Sequence, residues 1–220
     1  MEMLTILLQL PGVKLGLVEL EEVRVEPMVP ALAEEMDAVC ERIRRQTSVE
    51  QVAQLDSVRR VRQMFHTCGL DHTRYRPSSE ALLRRVAQGK GLYRISNVVD
   101  VCNLGSIETG WSYGLYDTAH VRPPITLRLG QTGETYEGIG KQTWHLAGRP
   151  VLVDAAGPFG SPISDSTRTM IRESTQAVLV VIYAPAGSPD AEIQRALDRF
   201  AERLARYAGA RLVGTSLVGA

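Results

Sequence analysis

The sequence has no charge of either sign to spare: across 220 residues, 25 Lys and Arg balance 25 Asp and Glu. No global field therefore draws the chain toward nucleic acid. No apolar run approaches the ~18 residues that a membrane-spanning helix needs. Residues 1–10 hold Glu2, Thr5 and Gln9 without the basic cluster that opens a secretory signal. We expect a soluble, cytoplasmic protein with no membrane partner. Cysteine is scarce too: Cys40, Cys68 and Cys102 stand far apart with no C-x-x-C pair, which argues against a disulfide framework and a thiolate zinc site. The sequence lacks a G-x-S-x-G elbow, a P-loop and an H-E-x-x-H pair, and Gly138 and Gly140 form only a G-x-G with no third glycine or following helix. His66, Cys68, Asp71 and His72 cluster in sequence, but their spacing matches no standard zinc pattern and suits caps at a helix end. No metal and no cofactor are expected.

What is present is an ordinary globular composition, 44% apolar, enough for one domain with an N-terminal extension. Its charge is unevenly spread. Residues 59–94 carry nine Lys or Arg against two acids, whereas residues 19–56 carry ten acids against four bases. The basic segment reads either as a phosphate-facing surface or as a solvated helix face.

Residues 4–10 and 13–25 are rich in Leu, Val and Ile and flank the turn dipeptide Pro11-Gly12, which predicts two paired strands. Leu32, Met36, Val39 and Ile43 recur at helical spacing over residues 31–46. A second helix is expected over 48–55, and a third from Ser57 as N-cap through Phe65. A fourth follows Pro77 and stops at Gly89 and Gly91. Strands are expected at 125–129, 135–139, 150–153 and 177–183, a loop at 158–162, and a final amphipathic helix over 189–207. The glycines between these strands suit tightly turned β-structure.

The central stretch, residues 97–117, carries the most polar detail. Residues 95–101 read as a buried strand reaching Asn103, with two helical turns before Gly110, so Asn103 is expected as an N-cap and Gly110 as the helix-ending glycine. Cys102 is a candidate nucleophile only if a base lies near, and otherwise an inert core thiol. Asp100, Asn103, Asp117, Glu134, Asp154 and the S-D-S-T-R-T run at 164–169 offer groups that can hold a water against an already activated ester.

Several motifs together resemble a known family. They are R-Y-R-P-S-S-E-A-L-L-R-R at 74–85, N-V-V-D-V-C-N-L at 97–104, Tyr116-Asp117, Gly133-Glu134 and D-S-x-x-T at 165–169. This set is similar to the B3/B4 domain, found in the β subunit of bacterial phenylalanyl-tRNA synthetase and in free-standing proteins, and the resemblance covers residues 60–185. It implies an α+β fold: a central mixed or antiparallel sheet of the B3/B4 type flanked by helices. Residues 1–58 would form an N-terminal strand pair and helices, 59–185 the core and 189–207 a C-terminal helix.

The resemblance also implies a function, since in the synthetase this domain hydrolyses tyrosine wrongly esterified to tRNA. A free-standing relative would be a trans-editing aminoacyl-tRNA deacylase; a tRNA-binding module without chemistry and a small-metabolite binder on the same fold are the alternatives. Asn103 matches the asparagine of the synthetase pocket. Gly114 stands where that pocket has histidine, and Val180 and Val181 stand where it has the glutamate that reads the tyrosine hydroxyl. Losing a distant hydroxyl reader removes discrimination rather than the chemical step. The residues implied near the ester are Asn103, Asp165, Ser166 and Thr167, and those of the substrate pocket are Gly114, Tyr116, Gly138, Gly140 and Val181. Arg74, Arg76, Arg84 and Arg85 would face the phosphates of tRNA, the expected partner, with no DNA.

Overall fold

A computed structural model describes residues 3–219. The chain runs β1 (Ile6–Leu8), β2 (Val13–Glu21), α1 (Pro30–Gln46), α2 (Asp56–Thr67), α3 (Ser78–Ala87), α4 (Asn97–Thr109), β3 (Ser112–Asp117) and β4 (Ile125–Leu129). It continues through β5 (Thr135–Glu137), β6 (Thr143–His145), β7 (Pro150–Asp154), β8 (Gly157–Gly160), β9 (Ala177–Pro185), α5 (Asp190–Ala208) and β10 (Arg211–Val218). This is an α+β fold with antiparallel and mixed sheets.

Two four-stranded sheets form the frame: β10-β2-β9-β3, antiparallel throughout, and β1-β4-β7-β8, in which only the β1–β4 pair is parallel. Strands β5 and β6 form a separate hairpin. Strand β9 lies between β2 and β3, and Val178 through Ala184 are fully or almost fully buried. A continuous apolar run is the pattern of a strand covered on both faces. One face, carrying Gly16, Ile182 and Tyr113 in register, meets α5: a Cβ on Gly16 would collide with Ile193 and Leu197. The opposite face, carrying Leu17, Val181, Gly114 and Tyr116, meets the second sheet, where the Tyr116 and Phe159 rings pack edge to face 5.0 Å apart. The core is therefore layered as helices, sheet and sheet.

Three expectations are corrected. The strand expected over 95–101 is instead the start of helix α4, which runs through 97–109: Ser96 is the N-cap, its Oγ accepting the Val99 N–H, and Asn103 lies mid-helix rather than at its start. Gly110 does end this helix, at φ 74°. Helix α4 is buried nearly all round, so it lacks the polar stripe that reveals a 3.6-residue period, and its valines mimic a strand. Second, β1 and β2 do not pair with each other: β1 joins β4 and β2 joins β9 and β10, so the Pro11-Gly12 turn passes the chain between sheets. Third, the helix expected over 48–55 is a single 3₁₀ turn, Val52–Gln54, and α2 starts at Asp56 without a side-chain cap. Strands β3, β6, β8 and β10 had no sequence signal strong enough to be expected, and β8 occupies part of the expected 158–162 loop.

Tyr116 is fully buried, and its ring lies in a gap left by two glycines: a Cβ on Gly114 or on Gly160 would overlap its hydroxyl. Gly140, by contrast, has open space around it. Gly114→Ala and Gly160→Ala should each lower stability by about 1–3 kcal/mol or more through overpacking. Gly140→Ala should stay within about 0.5 kcal/mol of the parent, as surface changes do. Urea unfolding of the three variants checks this.

Candidate acid–base site beside a basic groove

Strand β3 is an edge strand, so alternate backbone N–H groups point away from its partner β9. The 161–169 segment runs along this edge. Leu115 N–H donates to Asp165 Oδ2 at 3.3 Å, and Asp117 N–H to the Thr169 carbonyl at 2.8 Å. From within the sandwich, Tyr116 Oη donates to Asp165 Oδ1 at 2.8 Å and lies 3.1 Å from Tyr183 Oη. Asp165 thus sits where the β3 edge, two core tyrosines and a loop converge, half-buried.

That setting decides its protonation. Burial pushes the Asp165 carboxyl up to about 7, against hydrogen bonds from Tyr116 and from the backbone of Leu115 and Ser161 that pull it down. Burial, then the Asp165 charge, also raise the Tyr116 and Tyr183 hydroxyls well above the ordinary tyrosine range. A carboxyl that is partly protonated and partly ionised at neutral pH can take or give a proton. Tyr116 bonds Oδ1 and Leu115 bonds Oδ2, and two carboxylate oxygens together offer about four acceptor positions, so these bonds leave room for another donor.

The neighbours divide into structural and free. Cys102 on α4 is buried, and its thiol is pushed far up by burial and by the Asp165 charge, so the helix centre passes close to the carboxyl while the thiol stays inert. Asn103, next along α4, is partly exposed and makes no side-chain hydrogen bond among the described residues. Ser166 is buried, and its Oγ accepts the Arg168 N–H at 3.1 Å. Thr167 Oγ1 donates to the Glu137 carbonyl at 3.3 Å. These two hydroxyls brace the loop. Gly138 bridges Ser166, and Ile139 N–H donates to the Asp165 carbonyl at 3.2 Å, so the β5–β6 hairpin lies over the site, with Gly140 in its exposed turn.

Gly114, Tyr116 and Val181 do not wall an open cavity. Tyr116 and Val181 are fully buried between the sheets, and the Tyr116 ring fills the space beside Gly114. The large side chain two residues along takes up the room that the small one leaves. Sequence inspection missed Tyr183 and the Leu115 N–H, because only strand register brings them to Asp165.

The basic segment also divides. Arg62 grips the buried Glu80 through two hydrogen bonds of 2.8 and 2.7 Å, Arg84 Nε adds a third at 2.8 Å, and Arg76 lies 3.8 Å away. Burial opposes ionisation of Glu80, but the hydrogen bonds and charges of Arg62 and Arg84 outweigh it and hold its carboxyl below the usual range. Arg84 and Arg62 are thus largely committed to the fold. Arg85 instead lies 3.9 Å over the half-exposed Tyr93 ring. Arg76, Arg84, Arg85, Lys90 and Tyr93 line a groove of about 280 Å³. Nearby, Arg74 and Arg149 lie 5.3 and 4.2 Å over the Tyr75 ring, which meets Trp144 of the hairpin at 6.4 Å. Cations interleaved with partly exposed aromatics therefore run from the groove to the hairpin that covers Asp165.

The sequence profile of the B3/4 domain matches residues 60–209, from α2 to just past α5. No curated protein matches the chain. Among solved structures the chain is similar to an N-terminal fragment of the phenylalanyl-tRNA synthetase beta-subunit from Pyrococcus horikoshii, at 15% identity and a TM-score of 0.48. The match covers 96% of this chain and 50% of that one, so the chain spans half its length. Among the described residues no helix is long and apolar enough to cross a membrane, and no three His, Cys, Asp or Glu side chains gather as a metal site would need.

Asp165 also makes stability depend on pH. Its folded carboxyl keeps a proton up to about 7, whereas an unfolded aspartate releases it near about 4. Between those values the folded state binds more protons, so the contribution of this group to stability falls as pH rises. Asp165→Asn removes the titration. The stability of the parent relative to this variant, from urea unfolding, should decrease from pH 4 to pH 7; a flat difference over that window contradicts the assignment.

Proposed function

Because the chain belongs to the B3/4 domain family, we propose that it hydrolyses the ester bond of mischarged aminoacyl-tRNA, acting in trans. The observation that carries this reading is the Asp165 carboxyl, poised at about 7 and held by Tyr116 and Leu115 beside α4. In this reading Asp165 takes the proton of the attacking water and returns it to the departing ribose hydroxyl. The free amide of Asn103 orients the ester carbonyl. An aminoacyl ester is already activated, so positioning and one acid–base group supply most of what is required. Ser166 and Thr167 hold the loop rather than the substrate.

The tRNA would lie along the Arg76, Arg85, Lys90 and Tyr93 groove toward Arg74, Tyr75 and Arg149. Guanidinium groups and aromatic faces together suit phosphates and unstacked bases near a 3′ end. A tRNA-binding module without chemistry is the second reading, favoured by the Tyr116 ring in the space beside Gly114.

A panel of mischarged tRNAs separates the two. Deacylation of at least one, slowed by about 10²-fold or more in Asp165→Asn with tRNA binding retained, is expected. No hydrolysis of any member, with binding intact, leaves only the module. Arg85→Glu combined with Lys90→Glu should weaken tRNA binding and lower its salt dependence by about two counterions. Unchanged affinity would place the tRNA elsewhere.

A further inference from the structure

On the helical face of the β10-β2-β9-β3 sheet, α2, α4 and α5 enclose a cleft of about 300 Å³. Its floor is aromatic: Trp111, Tyr113 and Phe200, each at least nine-tenths buried. Arg60 of α2 and Arg195, Arg199 and Arg203 of α5 stand around it, the last three one turn apart and therefore on one helix face. The acids lining it are Glu108 and Glu192.

Most of these charges are paired, and one is not. Glu108 is already engaged, accepting from Arg203 and lying 3.4 Å from Arg199 and 3.7 Å from Arg42. Arg203 also holds Glu35 at 2.7 Å. Arg195 has no ion-pair partner among the described residues. Arg60 is paired with Asp56, Arg199 with Glu108 and Arg203 with both Glu108 and Glu35, so Arg195 is the guanidinium of the lining left unpaired among the described residues.

One buried donor in the same lining lacks an acceptor. The Trp111 indole Nε1 makes no hydrogen bond among the described residues, whereas Arg60 Nε lies 3.1 Å from Asp56 Oδ2 in an ion pair. Native structures leave few buried donors unpaired, and each calls for an explanation.

We propose that this cleft binds a small phosphate monoester carrying a flat ring, of the size of a nucleoside monophosphate. A phosphate monoester carries about −1.5 to −2 charges at neutral pH and three acceptor oxygens, which suit the unpaired Arg195 guanidinium and the orphan Trp111 donor. Guanidinium forks suit phosphate geometry, and aromatic residues suit the flat body. Small-molecule pockets span about 300–1,000 Å³, so the cleft holds one such molecule. The arginine row continues through Arg206 into an adjoining cleft with Arg42, so the monoester is either a free nucleotide or the phosphorylated end of a nucleic acid.

Calorimetric titration with AMP, adenosine and inorganic phosphate tests the site, alongside a short RNA with and without a 5′ phosphate. AMP should bind, adenosine should bind at least about tenfold more weakly, and Arg195→Ala should weaken AMP by about tenfold or more, as losing a charge-assisted hydrogen bond does. Arg195 is exposed, so this variant keeps the fold. Trp111→Phe, which deletes only the indole donor and part of a ring, should weaken AMP as well. Binding of the phosphorylated RNA but not AMP, lost on dephosphorylation and in Arg195→Ala, supports the site with a chain end as its ligand. No binding of AMP or of phosphorylated RNA at millimolar concentration overturns it, as does binding that Arg195→Ala leaves unchanged.

Discussion

The hydrogen bond from Tyr116 to Asp165 joins the parts of this protein on which its proposed chemistry depends. The tyrosine reaches the carboxyl because Gly114 and Gly160 leave room for its ring between the two sheets. The carboxyl in turn holds the free edge of β3 through the Leu115 N–H, and the loop that carries it bridges to the β5–β6 hairpin. Burial of the same group raises its proton affinity to the neutral range. The contact thus ties the core to the loop on the β3 edge, while burial, working against that hydrogen bond, brings the carboxyl to the protonation that acid–base work at neutral pH requires.

A second constraint is the buried Glu80. A carboxylate removed from water must be paired, and here Arg62 and Arg84 both turn inward to it. The abundance of cations over residues 59–94 is therefore partly internal, and the outward-facing charge is smaller than the composition implies. Of what remains outward, Arg85 lies on Tyr93 and Arg74 on Tyr75, so cations and aromatic rings are interleaved. That mixture suits single-stranded nucleic acid better than a uniform basic surface would.

Much of the frame was legible from local pattern. Helices with one apolar stripe, such as α1 and α5, and strands bounded by glycine, such as β4, appear close to where periodicity places them. Helix α4 misled because burial on all sides erases the stripe, and β-branched Val98, Val99 and Val101 then read as strand. The short strands β6 and β8 were lost because three or four residues carry too little period. Within the site, Asp165, Asn103 and Tyr116 could be named from motif likeness, but their roles depend on register. Nothing local to Tyr183, inside an apolar run, shows that its hydroxyl meets Tyr116 across the sheet, or that Ser166 and Thr167 spend their hydroxyls on the loop.

The most direct measurement is the titration of Asp165 itself. In protein labelled with ¹³C at aspartate Cγ, the Asp165 resonance can be assigned by its loss in Asp165→Asn and followed across pH. A midpoint near 7, moving when Tyr116 is changed to Phe, is the expected result. A midpoint near about 4, the ordinary value for an exposed aspartate, would contradict the acid–base role proposed for Asp165.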